Sequence, residues 1–233
     1  MSEVFLYGTG GGGKCKEPVI EPINITEDGV YNVPENIDGY GPITVKVASG
    51  GDDIANMLDA VIEGTATEVV APNATKIKSY AFNNDTVLTN IVMPKVTSID
   101  NYAFSNCTNL ALTSLPNGLT DIGLSAFSNC TNLTITELPS ELRRIGNYAF
   151  QYCTNLAFTS FPSGLNTIGS TVFYECKRLT TLTFKSKPGS IQGNTFSGCW
   201  NLTTINVPWA EGEILSAPWG ATNATINYNY TGE

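Results

Sequence analysis

Histidine is absent from all 233 residues. With it go the commonest general base, the commonest metal ligand and the usual partner of a serine or cysteine nucleophile. No window approaches the roughly 18 uninterrupted apolar residues of a membrane span, so no membrane insertion is expected. The opening MSEVFLYGTGGGGKCKEP lacks the basic segment and apolar run of a signal peptide, and the mature chain is expected to begin where the sequence does. Positive charge is also scarce: 12 Lys and Arg stand against 21 Asp and Glu, a net charge of −9. Residues 1–68 hold 12 acids and 3 bases, whereas residues 69–233 hold 9 of each. Such a balance gives no general attraction for nucleic acid or an anionic membrane surface.

What the sequence does contain is a repeated phrase. NYAFSNCTNLALTSLP at 101–116 returns as LSAFSNCTNLTITELP 23 residues later. Phenylalanine recurs at Phe82, Phe104, Phe127, Phe150, Phe173 and Phe196. Isoleucine keeps the same beat from Ile77 to Ile191, as does leucine from Leu88 to Leu202. The one short interval, 22 rather than 23, comes from a residue missing between Pro94 and Ile99. Apolar positions at a fixed period mean that each unit shows the same inward face, which only its neighbours can cover. The pattern therefore predicts a solenoid of six turns.

Within a unit, TTLTFK and TTINVP alternate polar and apolar as short strands do, and proline ends most of them. NYAFSNC is too short for a stable helix and reads as a helical turn or tight loop across the back. With the lead-in TEVVAP, stacked strands would form a parallel sheet of seven, about 30 Å long at the usual spacing. The unit I-x-x-x-A-F-x-x-C-x-x-L-x-x-I-x-x-P resembles the BspA-type leucine-rich repeats of bacterial surface and phage-associated proteins, over residues 67–208. That resemblance implies an α/β repeat solenoid, a right-handed leucine-rich-repeat coil with a parallel sheet on one face. It also implies a binding or adhesive role without catalysis, and no cofactor.

Cys107, Cys130, Cys153, Cys176 and Cys199 lie 23 apart, with Asp85 at that place in the first unit. Zinc ligands converge on a point, usually through paired short spacings, whereas a ladder spreads them along a line. Neighbouring rungs come within disulfide range at Cα, but parallel side chains hold the Cβ atoms too far apart to bridge. The five are therefore expected to be reduced, buried apolar fillers, and Cys15 to be exposed and incidental. The Asn-Cys-Thr triplets match a glycosylation acceptor formally, but they repeat with the scaffold and read as turn chemistry.

Residues 1–16 are expected to be flexible and 17–48 to form a small β module, its beta-formers divided by EDG, NVPEN and DGYGP. Residues 49–66 read as a linker and an N-terminal capping helix over DDIANMLDAVIEG at 52–64. Residues 209–233 leave the repeat and gather Trp209, Trp219, Tyr228 and Tyr230. These aromatics are expected to cover the last turn, although such a cluster can also bind sugars.

Two candidate ligand sites follow. In LALTSLP, LTITELP and LAFTSFP, a strict strand register turns Leu112, Ile135 and Phe158 outward as an apolar stripe; a local bulge would tuck them inside. Arg143, Arg144, Lys177 and Arg178, with Lys185 and Lys187, could merge on stacking into a basic patch for an anionic glycan or acidic protein, or could be solvated loop charges. The expected function is a non-enzymatic recognition or adhesion module at a bacterial surface, extracellular or virion-associated, with a protein or glycan partner. The alternative is a structural or receptor-binding part of a phage tail. The segment ITEDGVYNVPENIDGYGPITVKV resembles short β segments of phage tail and Firmicutes surface proteins.

Overall fold

A computed structural model describes residues 74–232 throughout, and residues 2–7, 23–25, 29–33, 43–47 and 68–70 as strand backbone. Among the described residues there is no α-helix. The chain winds as a coil, and each turn runs through two strand positions and one stretch of turns. The capping helix expected over 52–64 and the linker around it lie outside the described residues, as does Cys15.

The first strand position is the shorter. Strands β6 (Lys76–Ile77), β8 (Ser98–Ile99), β9 (Asp121–Ile122), β10 (Arg144–Ile145), β12 (Thr167–Ile168) and β14 (Ser190–Ile191) stack in parallel as a six-stranded sheet. Isoleucine is registered on isoleucine throughout. Each strand buries only that isoleucine, so the residue before it faces outward as pleating requires.

The second position, the front, carries β5 (Glu68–Val70) and β7 (Asn90–Val92) at one end. At the other stand β11 (Ser160–Phe161), β13 (Thr181–Phe184), β15 (Thr204–Asn206) and β16 (Thr225–Asn227). The expected continuous sheet of seven is thus two separate pieces. β1 (Ser2–Tyr7) pairs antiparallel with β5 and with β2 (Ile23–Ile25), which puts a strand within the segment expected to be flexible. β3 (Gly29–Val33) and β4 (Ile43–Val47) form an antiparallel hairpin.

The stretch around NYAFSNC cannot be helical, because each copy holds two residues in the left-handed region four positions apart. Tyr102 has φ 58° and Asn106 φ 63°, and the same pair recurs as Ser125 and Asn129, then Tyr148 and Tyr152. Left-handed residues break a right-handed helix. Alternate N–H groups instead donate to the next turn: Tyr102 to Leu124, Phe104 to Ala126 and Asn106 to Ser128, each at 2.8 Å. Main-chain hydrogen bonding therefore runs along the column on this side too.

Inside lies the file of rings that the repeat predicts. From Phe82 to Phe196 successive centroids are 4.8, 5.1, 5.3, 5.7 and 5.6 Å apart, and every step is near parallel. All six rings are fully buried, each worth roughly 1.5–3 kcal/mol relative to exposure. Trp209 and Trp219 are also buried, 5.2 and 6.3 Å from Phe184, and the Trp219 carbonyl accepts the N–H of Phe196. The column of contacts passes from the last repeat into the C-terminal segment without a gap.

Candidate binding surface

The front changes its register in turns two to four. Turns one, five and six place their inward residues three and five positions after the repeat leucine, as in Leu182 and Phe184 after Leu179. Turns two to four place them two and five positions after it: Leu112 and Leu115 after Leu110, and Phe158 and Phe161 after Leu156. Two consecutive residues between the inward pair cannot alternate, so the main chain bows outward as in a bulge. Leu112, Ile135 and Phe158 are 5%, 0% and 1% exposed, and the apolar stripe that a strict register predicts does not exist. Phe158 packs in the core, 5.1 Å from Phe161 and 5.3 Å from Phe173. Exposed in its place are Thr113, Thr136 and Thr159, with Ser114, Glu137 and the half-buried Ser160 beside them.

The bow also opens the ladder. Ala111, Thr134 and Ala157 each donate one N–H to the preceding turn, at 2.8, 3.1 and 3.3 Å. Further along, the main chain of Thr113–Leu115 and Thr136–Leu138 makes no hydrogen bond among the described residues. By contrast, in turn five Thr183 and Lys185 continue the ladder to Thr159 and Phe161. Where β7 meets the second turn the opening becomes a cleft of about 420 Å³, lined by residues 90–94 and 111–117.

The basic residues do not merge into one free patch. Arg144 opens strand β10 of the six-stranded sheet with Arg143 immediately before it, whereas Lys177 and Arg178 occupy the turn after Cys176. Arg143 bonds Glu141 at 3.1 Å, Lys177 meets Glu175 at 3.2 Å and Lys187 meets Glu213. Arg144 reaches across one turn to Asp121 at 2.9 Å. Burial alone would raise the Asp121 carboxyl, but hydrogen bonds from Arg144 and Thr120 and the charge of Arg144 hold it below its usual value. Exposed pairs of this kind add about 0–1 kcal/mol each and chiefly cancel charge. Arg178 and Lys185 are exposed and form no ion pair among the described residues.

The five ladder cysteines are buried free thiols, and each donates to a phenylalanine carbonyl of the preceding turn at 2.9–3.1 Å. No cluster of three or more side chains suited to a metal ion is found among the described residues. Asp85, at the first rung, instead accepts the N–H groups of Val87 and Leu88 through Oδ1, both at 2.9 Å. Sequence reasoning missed the threonine front and the cleft. The threonines at 113, 136 and 159, standing where an inward residue was due, carried the signal.

A stacked coil with a file of buried apolar rungs, parallel strands and a polar front is a leucine-rich-repeat solenoid, a fold generally used as a non-catalytic module for protein interaction. The chain belongs to the BspA-type leucine-rich repeat family, whose model matches six copies over residues 75–208. It is similar to the leucine-rich repeat protein TpLRR of T. pallidum, with 28% identity and a TM-score of 0.55 over 62% of this chain and 73% of that one. A leucine-rich repeat protein of Bacteroides ovatus shares the fold at 21% identity and TM-score 0.53, over 79% of this chain and 47% of its own. The pneumococcal vaccine antigen PcpA does so at 17% and 0.56, over 81% and 46%. This chain spans less than half the length of the last two. No curated protein sequence matches it.

Proposed function

We propose that the chain is a non-enzymatic recognition module at a bacterial surface, and that it binds a protein through the front of turns one to four. The observation that carries this reading is the outward bow of turns two to four. It exposes Thr113, Thr136 and Thr159 and leaves the main chain of Thr113–Leu115 and Thr136–Leu138 without a hydrogen bond among the described residues, on a front backed by the file of buried rings. Polar groups fixed on a rigid frame and left unpaired by the fold are ready to bond a partner at little ordering cost. Similarity to the vaccine antigen PcpA supports a surface location.

The test is binding of the purified chain to a defined panel of immobilised extracellular-matrix proteins and glycans, repeated with Thr136→Arg. Thr136 is exposed, so the variant should unfold at the same urea concentration to within about 0.5 kcal/mol. A protein partner that the wild type binds and Thr136→Arg loses by at least about tenfold, some 1.4 kcal/mol, supports the reading. Binding unchanged in Thr136→Arg but lost in Arg178→Glu would transfer recognition to the basic side. Binding to glycans alone would replace the protein partner.

A further inference from the structure

The cleft between the first two front turns has a composition that narrows what could enter it. None of its twelve lining residues is ionisable and none is aromatic. Its floor is Ile91, Met93, Leu112 and Leu115, each 4–5% exposed, whereas Leu182, Ile205 and Val207 of the closed front are at 0%. These four core side chains thus keep a small accessible surface that their counterparts have lost. On the rim, Val92 is 41% exposed and Thr113 and Ser114 are exposed, with main chains of the latter two unbonded among the described residues. The volume of about 420 Å³ falls within the range of ligand pockets.

We propose that this cleft receives a short, uncharged, extended peptide segment of a partner protein. The segment bonds the main chain of Thr113 and Ser114 and lowers one aliphatic side chain onto the floor. A charged group would lose its hydration there and find no counter-charge. A sugar would find no ring to stack on and has no aliphatic branch to fill the floor. An extended peptide carries donors and acceptors along its backbone and side chains on alternate sides, the combination that an open ladder edge over an apolar floor accepts. This inference rests on the reading of the front as the recognition surface, and it makes the partner's contact a main-chain one.

The probe is a pool of N-acetylated, C-amidated pentapeptides built from uncharged residues, with Leu, Ile, Val or Met at the centre. Its titration into the full chain is followed by the amide resonances of Val92, Thr113 and Ser114. Expected are saturable shifts at those three amides, weakened at least about tenfold, some 1.4 kcal/mol, by N-methylation of the central residue or by Lys in its place. Thr113→Trp, which crowds the rim from an exposed position, should lose the shifts with its unfolding midpoint unchanged. No shift at millimolar pool overturns the proposal, as does equal binding of the N-methylated pool, which would leave only apolar capture. Failure here with partner binding still sensitive to Thr136→Arg removes the cleft alone; insensitivity of both removes the front as a whole.

Discussion

Cys130 Sγ donates to the carbonyl oxygen of Phe104, 2.9 Å away in the preceding turn, and that same oxygen accepts the main-chain N–H of Cys107 at 3.1 Å. The thiol therefore fills space among the rungs and also supplies a second donor to a buried carbonyl. Serine in its place would be smaller and more strongly hydrated when unfolded, and alanine would leave the acceptor with one bond fewer. Cysteine satisfies both demands with a small, soft atom.

Cys153→Ala should lower stability by about 1–3 kcal/mol, because it deletes a buried donor to Phe127 and opens a small void. Cys153→Ser, which retains a donor, should cost less. Urea unfolding with an unchanged slope is the measurement, and equal midpoints for wild type and Cys153→Ala would remove the thiol from the energetics.

Burial raises the thiols of Cys130, Cys153 and Cys176 well above the ordinary value of 9.0, and that of Cys199 to about 12. Above about pH 9 the unfolded chain loses thiol protons that the folded chain keeps, so folding stability is full below that pH and declines towards pH 12. The unfolding midpoint should fall between pH 8 and 10.5 in the wild type, and by less in Cys153→Ala. In native protein at pH 8 the five ladder thiols should resist a thiol reagent and react only in denaturant. Prompt labelling of four or five would contradict their burial.

Phe158→Ala should cost about 3–5 kcal/mol, the range for removing a large core ring. Its neighbours Phe161 and Phe173 are themselves fully buried and cannot close the space. A variant that melts with the wild type and loses only partner binding would restore the outward stripe.

Gly146→Ala should cost about 1–3 kcal/mol by overpacking. A Cβ there would stand 2.7 Å from the carbonyl carbon of Gly123 and 2.8 Å from the nitrogen of Leu124, both main-chain atoms of the preceding turn that cannot rotate away. Gly118→Ala is the control, since its Cβ would meet only a Thr97 methyl at 3.9 Å. Equal effects in a thermal melt would show that turn spacing at Gly146 is not limited by close approach.

The column was legible because it depends on period alone: Phe82 to Phe196, the isoleucines and the leucines announce their stacking through spacing. The six-stranded sheet was not, since two-residue strands such as Ser98–Ile99 are too short to show alternation. Nor was the non-helical course of NYAFSNC, which turns on positive φ at tyrosine and serine, residue types that seldom signal it. The front failed for a sharper reason. Leu112 and Leu182 differ by one place relative to the repeat leucine, and one place in a strand exchanges inside for outside unless the main chain bows. Sequence offered both outcomes for Leu112, Ile135 and Phe158, and the structure buries all three, Phe158 against the ring of Phe173. The cleft depends on the distance between two turns, which no single turn encodes.

Left-handed tyrosines and asparagines route main-chain bonds up the turn side, thiols tie carbonyls beneath them, and rings fill the middle. Cohesion thus resides away from the threonine-bearing side. Side chains there can be exchanged at small energetic risk, so the front can vary in sequence while the spine beneath it keeps its packing.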